Sequence, residues 1–226
     1  METNIEAIFI QSHNNEITNK ELFKFIDQLY NKLDNKALPI YLFLDSKSES
    51  NSELYMIVNK LNKFKNNYII TIDDTIAFNK ISYIFYHMIK YEINKFQRVL
   101  LLESDCKLKD NFIEIINKDL KTLENNYLIY GSKYYGTSHE NRNHMNGVSV
   151  YNRNDIFMNS IEEFFVKMNQ INNETNYDFI LSEYLIKEKY ENLLIDSDYI
   201  INLSPITDLN IDYKKIKEKS CIIHQK

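Results

Sequence analysis

Glu103 and Asp105 stand two residues apart, directly behind the apolar run Val99-Leu100-Leu101-Leu102. A short run of this kind reads as a buried strand, and acids at i and i+2 leave such a strand on one side of its pleat. Two hard oxygens placed there suit a divalent cation, which in turn holds phosphates. The same acids would also serve as an ordinary solvated strand end. Other apolar runs finish in polar residues too: Gln11-Ser12-His13, Asp45 and Asp73-Asp74. If these runs are parallel strands, their carboxyl ends share the edge at which open α/β sheets bind ligands.

Three further groupings have chemistry to offer. In Asn143-His144-Met145-Asn146-Gly147, followed by Val148-Ser149-Val150-Tyr151, His144 and Asn146 can donate to and accept from hydroxyl groups. Gly147 would let the backbone approach a ligand; a plain turn entering a strand explains the segment equally well. At the end of the chain, Cys221-Ile222-Ile223-His224-Gln225-Lys226 delivers a metal-ligand type, His224, and a phosphate-partner type, Lys226. Asp178, in Asn176-Tyr177-Asp178, is a helix N-cap by type, and a candidate general base if it faces a cleft.

The elements that must position these residues alternate through the first half. Strands are expected at Ala7–Gln11, Pro39–Leu44, Tyr68–Ile72 and Val99–Leu102, with helices at Glu21–Leu33, Ser52–Phe64 and Ile81–Phe96. This order predicts an α/β fold, with a mostly parallel sheet covered on both faces. The second half is less regular. Helices are expected over Asp110–Leu123 (with Asp110 as N-cap), Asp155–Met168 and Asp178–Glu188, and strands at Tyr127–Tyr130, Val148–Tyr151, Leu193–Asp196 and Cys221–His224. No domain boundary interrupts the 226 residues, so a single domain is expected.

Composition narrows the function. A net charge of −5 argues against binding driven by nucleic-acid phosphates. No apolar run reaches the roughly 18 residues of a membrane span. Met1-Glu2-Thr3-Asn4 is unlike a signal peptide, and Cys106 and Cys221 have no metal-binding spacing, so free thiols and a cytoplasmic location are expected. With 30 Asn and 32 Ile but only 3 Gly, the chain carries the imprint of an AT-rich genome. Its few glycines, Gly131, Gly136 and Gly147, therefore draw notice as sites of positive φ or close approach. Gly-rich phosphate loops, dinucleotide fingerprints, nucleophile elbows and zinc-protease motifs are all absent.

The half ending in Leu101-Leu102-Glu103-Ser104-Asp105 resembles the nucleotide-sugar domain of GT-A-fold glycosyltransferases, whose mark is a D-x-D-type motif after an apolar strand. His144-Met145-Asn146-Gly147 with Tyr151 is similar to an H-x-N-G…Y segment of some members, and Ile223-His224-Gln225-Lys226 to a late H-x-K element. Compact glycosyltransferase domains of large DNA viruses are the nearest likeness, which would place the protein in a host cytoplasm. The resemblance implies a Rossmann-like GT-A sheet, with residues 1–106 as the nucleotide-binding half and 107–226 as the acceptor side. It implies a hexosyltransferase-type enzyme moving a sugar from a nucleotide diphosphate, UDP-linked by preference, to a hydroxyl on a glycan or protein. By the same likeness Asp105 and His224 ligate Mn2+ or Mg2+, and Glu103 faces the metal or the ribose. Lys226 pairs with the diphosphate, Asp45 holds the base, Ser12 lies at the nucleotide end of the first strand and Lys80 contacts a phosphate. His144, Asn146 and Gly147 bind the donor sugar or acceptor, and Asp178 is the base of an inverting reaction. The motif here reads E-S-D, a departure at Glu103. A sugar-nucleotide pyrophosphorylase is a weaker alternative, because Ile10-Gln11-Ser12-His13-Asn14 has neither Gly nor Arg; a non-catalytic binding or scaffold domain is another.

Overall fold

A computed structural model describes residues 4–75, 80–133, 144–170, 176–203 and 218–224. Strands β1 (Ala7–Ser12), β2 (Ile40–Asp45), β3 (Asn67–Ile72) and β4 (Arg98–Glu103) lie in the order β3-β2-β1-β4, all parallel. A three-residue strand, β5 (Cys106–Leu108), follows at once. Strands β6 (Ile129–Lys133), β7 (Met145–Asn152) and β8 (Leu194–Asp196) extend the large sheet to seven, in the order β3-β2-β1-β4-β7-β6-β8. Strand β7 runs antiparallel to both β4 and β6. Strands β9 (Ile200–Asn202) and β10 (Ile222–His224) join β5 in a small second sheet, with β10 in the middle.

The helices are α1 (Asn14–Thr18), α2 (Glu21–Lys32), α3 (Leu54–Leu61), α4 (Lys80–His87), α5 (Phe112–Leu120), α6 (Asp155–Gln170) and α7 (Tyr177–Lys187). Because strand side chains alternate, the near-continuous apolar runs of the parallel strands fill two cores. Ile8, Ile10, Leu100 and Leu102 pack with Phe25 of α2, Ile57 of α3 and Phe112 of α5. Ala7, Phe9, Val99 and Leu101 pack with Phe85 of α4, Phe157 of α6 and Leu181 of α7. The same alternation carries Gln11 and Glu103, which are register partners, to the α4–α7 face at the carboxyl edge.

Several local expectations change. The long helix over Ile81–Phe96 is broken: α4 passes into a π turn at Met88–Glu92 and a 3-10 turn at Ile93–Lys95. The widened turn lets Met88, Ile89 and Ile93 all bury. Asp110 is not an N-cap. Asn111 occupies that position with φ 59°, a left-handed conformation that Asn tolerates, and Asp110 pairs with Lys32 at 2.8 Å. Asp178 is likewise inside the first turn of α7, with Asn176 at the N-cap. Among the described residues, no helix is long and apolar enough to cross a membrane.

Candidate metal and substrate site

The two sheets meet at the edge where β4 ends. Glu103 closes β4, Ser104 and Asp105 make the turn, and Cys106 opens β5. Antiparallel pairing of β5 with β10 sets His224 opposite Cys106, so the late histidine arrives beside the acids. His224 Nε2 lies 3.0 Å from Asp105 Oδ1 and 3.2 Å from Glu103 Oε2. One ligand atom from each of the three residues falls within 4.8 Å of the others.

Asn146, on β7, orients the ring. Its Oδ1 accepts from the Val148 N–H at 3.2 Å, which identifies that atom as the oxygen, and it stands 3.1 Å from His224 Nδ1. An acceptor there requires a proton on Nδ1, which leaves Nε2 turned toward the carboxylates. Burial is the largest single influence on His224 and opposes its charged form, but the bonds and charges of Asp105 and Glu103 together outweigh it and raise the pKa to about 9. Nε2 is thus set between two carboxylates, where either a proton or a cation completes the arrangement. Two carboxylates and an imidazole together are a donor set suited to a divalent cation.

These residues open on a cleft of about 120 Å³ that Glu16 and Asp178 also line. Glu16 accepts from the Ser12 hydroxyl and, at 3.2 Å, from the His13 N–H; burial nevertheless prevails and raises its pKa. Four carboxylates and no Lys or Arg face the cleft among its described lining residues. An anionic ligand would be repelled there unless a cation accompanied it. The thiols play no part: Cys106 and Cys221 are buried, and burial pushes the Cys221 pKa up to about 12 and that of Cys106 well above the ordinary value.

Of the residues singled out in the sequence, the cleft unites Glu103, Asp105, Asn146, Asp178 and His224. His144 is buried behind it, with Nε2 4.0 Å from Asp178 Oδ2. Gly147 is packed rather than open: a Cβ there would fall 1.9 Å from the Tyr177 hydroxyl oxygen. Ser12 is buried and donates to Glu16. The Asp45 carboxylate accepts from the N–H of Asn14 at 3.2 Å, and from the N–H of Ser48 at 3.1 Å and its hydroxyl, so it ties the loop after β1 to the turn after β2. Lys80 lies 3.3 Å from buried Asp74. Lys226 and Gly136 fall outside the described residues. Gln11, Glu16 and Tyr177 line the cleft without having been assigned a role from sequence. Glu16 has one local signal, its i+4 spacing from Ser12, and Gln11 is marked as the polar end of the first apolar run; nothing local marks Tyr177.

No protein-family model matches the chain, and no curated protein matches it. Solved structures do. The bifunctional glycosyltransferase WbbM superposes on 98% of this chain with a TM-score of 0.62 at 13% identity, and this chain spans 45% of its length. An active-site mutant of LgtC gives a TM-score of 0.65 at 10% identity, covering 97% of this chain and 86% of LgtC. Mouse xyloside xylosyltransferase 1 gives 0.59 at 11% identity, covering 96% of each chain. With its largely parallel sheet flanked by helices, the chain has the fold of the GT-A glycosyltransferases.

Proposed function

We propose that this protein is a metal-dependent glycosyltransferase that moves a sugar from a nucleoside diphosphate, UDP-linked in our reading, to a hydroxyl acceptor on a glycan or protein. The observation that carries the proposal is the convergence of Glu103, Asp105 and His224 at the carboxyl edge of a GT-A sheet. A bound Mn2+ or Mg2+ would supply positive charge against the leaving diphosphate. Asp105 and His224 would hold it, with Glu103 on the metal or the ribose, and Asn146 keeps His224 Nε2 on target. Lys226 would add charge at the diphosphate. Ser12, Asp45 and Lys80 belong to the nucleotide side of this reading, in residues 1–106. Asp45 would act there chiefly through the loop it ties, since its oxygens already accept from Asn14 and Ser48. His144 and Gly147 shape the sugar and acceptor side, in residues 107–226, from behind Asp178 and Tyr177. If the reaction inverts configuration, Asp178 takes the acceptor proton from its place in the cleft. Asp178→Asn should then abolish turnover while donor binding persists; substantial residual turnover would remove Asp178 from that role.

The reading is tested by melting the protein with UDP, GDP, CDP and dTDP, each with and without Mn2+. A rise for one nucleotide that requires Mn2+ and disappears in Asp105→Ala supports it and names the donor class. No rise with any nucleotide, in folded protein, points instead to a non-catalytic scaffold.

A further inference from the structure

Strand β3 has a neighbour on one side only: among the described residues it pairs with β2 and ends the large sheet there. It is six residues long, Asn67-Tyr68-Ile69-Ile70-Thr71-Ile72, whereas β8 at the opposite end has three. A long edge is ordinarily blunted by a charge, a proline or a bulge, because its unpaired main chain invites another strand. Within β3 there is no charged residue and no Pro, and its pairing with β2 runs from Asn67 to Ile72 without a bulge.

The ladder fixes which groups are left over. The Ile40 N–H donates to the Asn66 carbonyl at 3.0 Å, and Ile40 is the register partner of Asn67. Successive residues of a strand turn their main-chain groups to alternate sides, so Tyr68, Ile70 and Ile72 face β2 while Asn67, Ile69 and Thr71 face outward. The side chains of this edge are half in solvent. Tyr68 is 47% exposed and stacks on Tyr41 at 4.5 Å and 23°. Ile69 and Ile70 are partly buried, one against each core. The flanks carry opposite charges: exposed Lys65 precedes the strand, and exposed Asp73, which also accepts from Thr75, follows it.

We propose that β3 is a self-pairing edge, at which two copies of this chain join antiparallel across a two-fold axis at Ile69 into one continuous sheet. The second copy is the occupant that this edge fits, because the edge is complementary to itself. An antiparallel pair exchanges bonds between residues that both face outward; centring on Ile69 sets Ile69 opposite Ile69 and Asn67 opposite Thr71, all of the outward set, for about six main-chain hydrogen bonds. The same register sets Tyr68 opposite the copy's Ile70 on one face and Ile69 opposite Ile69 on the other, apolar pairs of the kind that hold sheets together. It also sets Lys65 opposite the copy's Asp73 at both ends, where a parallel pairing would set like beside like. Such a contact is isologous and closes at two copies, leaving only the short β8 edge at either end. Strands β2 and β1 separate β3 from β4, so the pairing does not involve the metal set and holds whether or not the chain transfers sugar. A contact built on one strand edge belongs with the smaller interfaces, so a Kd in the micromolar range is expected.

Sedimentation equilibrium of the full chain from about 1 to about 300 µM brackets such a dimer. The mass should rise from 27.1 kDa toward twice that value. Thr71→Pro removes an outward N–H and keeps every bond to β2, and should weaken association at least about tenfold. Lys65→Glu and Asp73→Lys each set like charges opposite one another at both ends, and should weaken it about five- to tenfold. An equimolar mixture of those two variants should associate as the wild type does, because both cross pairs are then opposite in charge. A mass of 27.1 kDa at every concentration overturns the proposal. So does a dimer that neither Thr71→Pro nor the charge variants weaken, or a mixture that associates no more tightly than its components. The charge variants alter exposed residues outside the strand, so the mixing result stands even if Thr71→Pro unfolds the chain.

Discussion

A Cβ on residue 147 would lie 1.9 Å from the Tyr177 hydroxyl oxygen and 2.7 Å from its ring carbon, and one on residue 131 would lie 2.0 Å from Ser149 Oγ. Neither glycine has positive φ, so close approach is what each position requires. Because Tyr177 is itself pinned against Phe85, Gly147→Ala should cost about 1–3 kcal/mol through overpacking, read as a lower urea midpoint at unchanged slope. Asp74 offers a second test at this scale. It is fully buried, accepts from the Ser46 N–H at 3.1 Å and from its hydroxyl, and has Lys80 at 3.3 Å. Burial is the strongest influence and would raise its pKa, yet Ser46 and Lys80 together bring it below the ordinary 3.8. A pKa lowered by folding stabilises the native state above the unfolded value, and the contribution is lost as pH falls through the folded value. Asp74→Asn should therefore cost about 1–3 kcal/mol at neutral pH. The gap between variant and wild type should narrow as the pH of urea melts is taken below the ordinary 3.8 and on through the lowered value of the folded protein.

At the scale of elements, the site depends on strands of three residues. β10 holds the middle of the small sheet, where the Ile222 N–H donates to the Tyr199 carbonyl at 3.0 Å and carries the register that sets His224 beside Asp105. Ile222→Pro removes that donor from an interior strand. Mn2+ affinity, followed by calorimetry, should drop at least about tenfold, since one of three candidate ligands loses its support. Far-UV circular dichroism should keep most of its intensity, because the large sheet does not depend on β10. These short strands also mark where sequence reading stops. Strands β1, β2 and β4 are legible because burial on both faces demands continuous apolar runs such as Ala7-Ile8-Phe9-Ile10. β5 and β9 are too short for any periodicity, and their pairing is a tertiary fact. The break in the helix after His87 escapes because a π turn moves apolar residues by one position, which a 3.6-residue pattern absorbs. Asp110 and Asp178 look like caps by type; the neighbouring Asn residues take those positions through backbone conformation that composition does not reveal. The acids and His224 could be picked out by residue type. Their convergence is expected only through family resemblance, and Tyr177 becomes visible only when the fold places it beside Glu103.

For the whole molecule, the candidate ligand set spans two sheets. Glu103 belongs to the seven-stranded sheet, Asp105 to the turn that leaves it, and His224 to the three-stranded one. A cation held by all three would tie the two sheets together beside the end of β4, whereas in its absence two carboxylates crowd a buried imidazole and depend on a proton for compensation. Metal binding should therefore act on more than the site. At Mn2+ concentrations about a hundredfold above Kd, the native state should gain about 2.7 kcal/mol, a rise of roughly 5–10 °C in Tm for a chain of this length. The gain should be local in its origin. Hydrogen exchange at the amides of β10 and β9 should slow on adding Mn2+, because their opening to solvent now requires breaking a metal bond. Amides of β2 and β3, three and four strands from β7 across the large sheet, should slow only where they exchange through global unfolding. In Asp105→Asn both the Tm rise and the β10 protection should vanish together. Equal slowing across all strands, or protection confined to β4, would mean that His224 contributes no bond and that the two sheets are not joined through the metal.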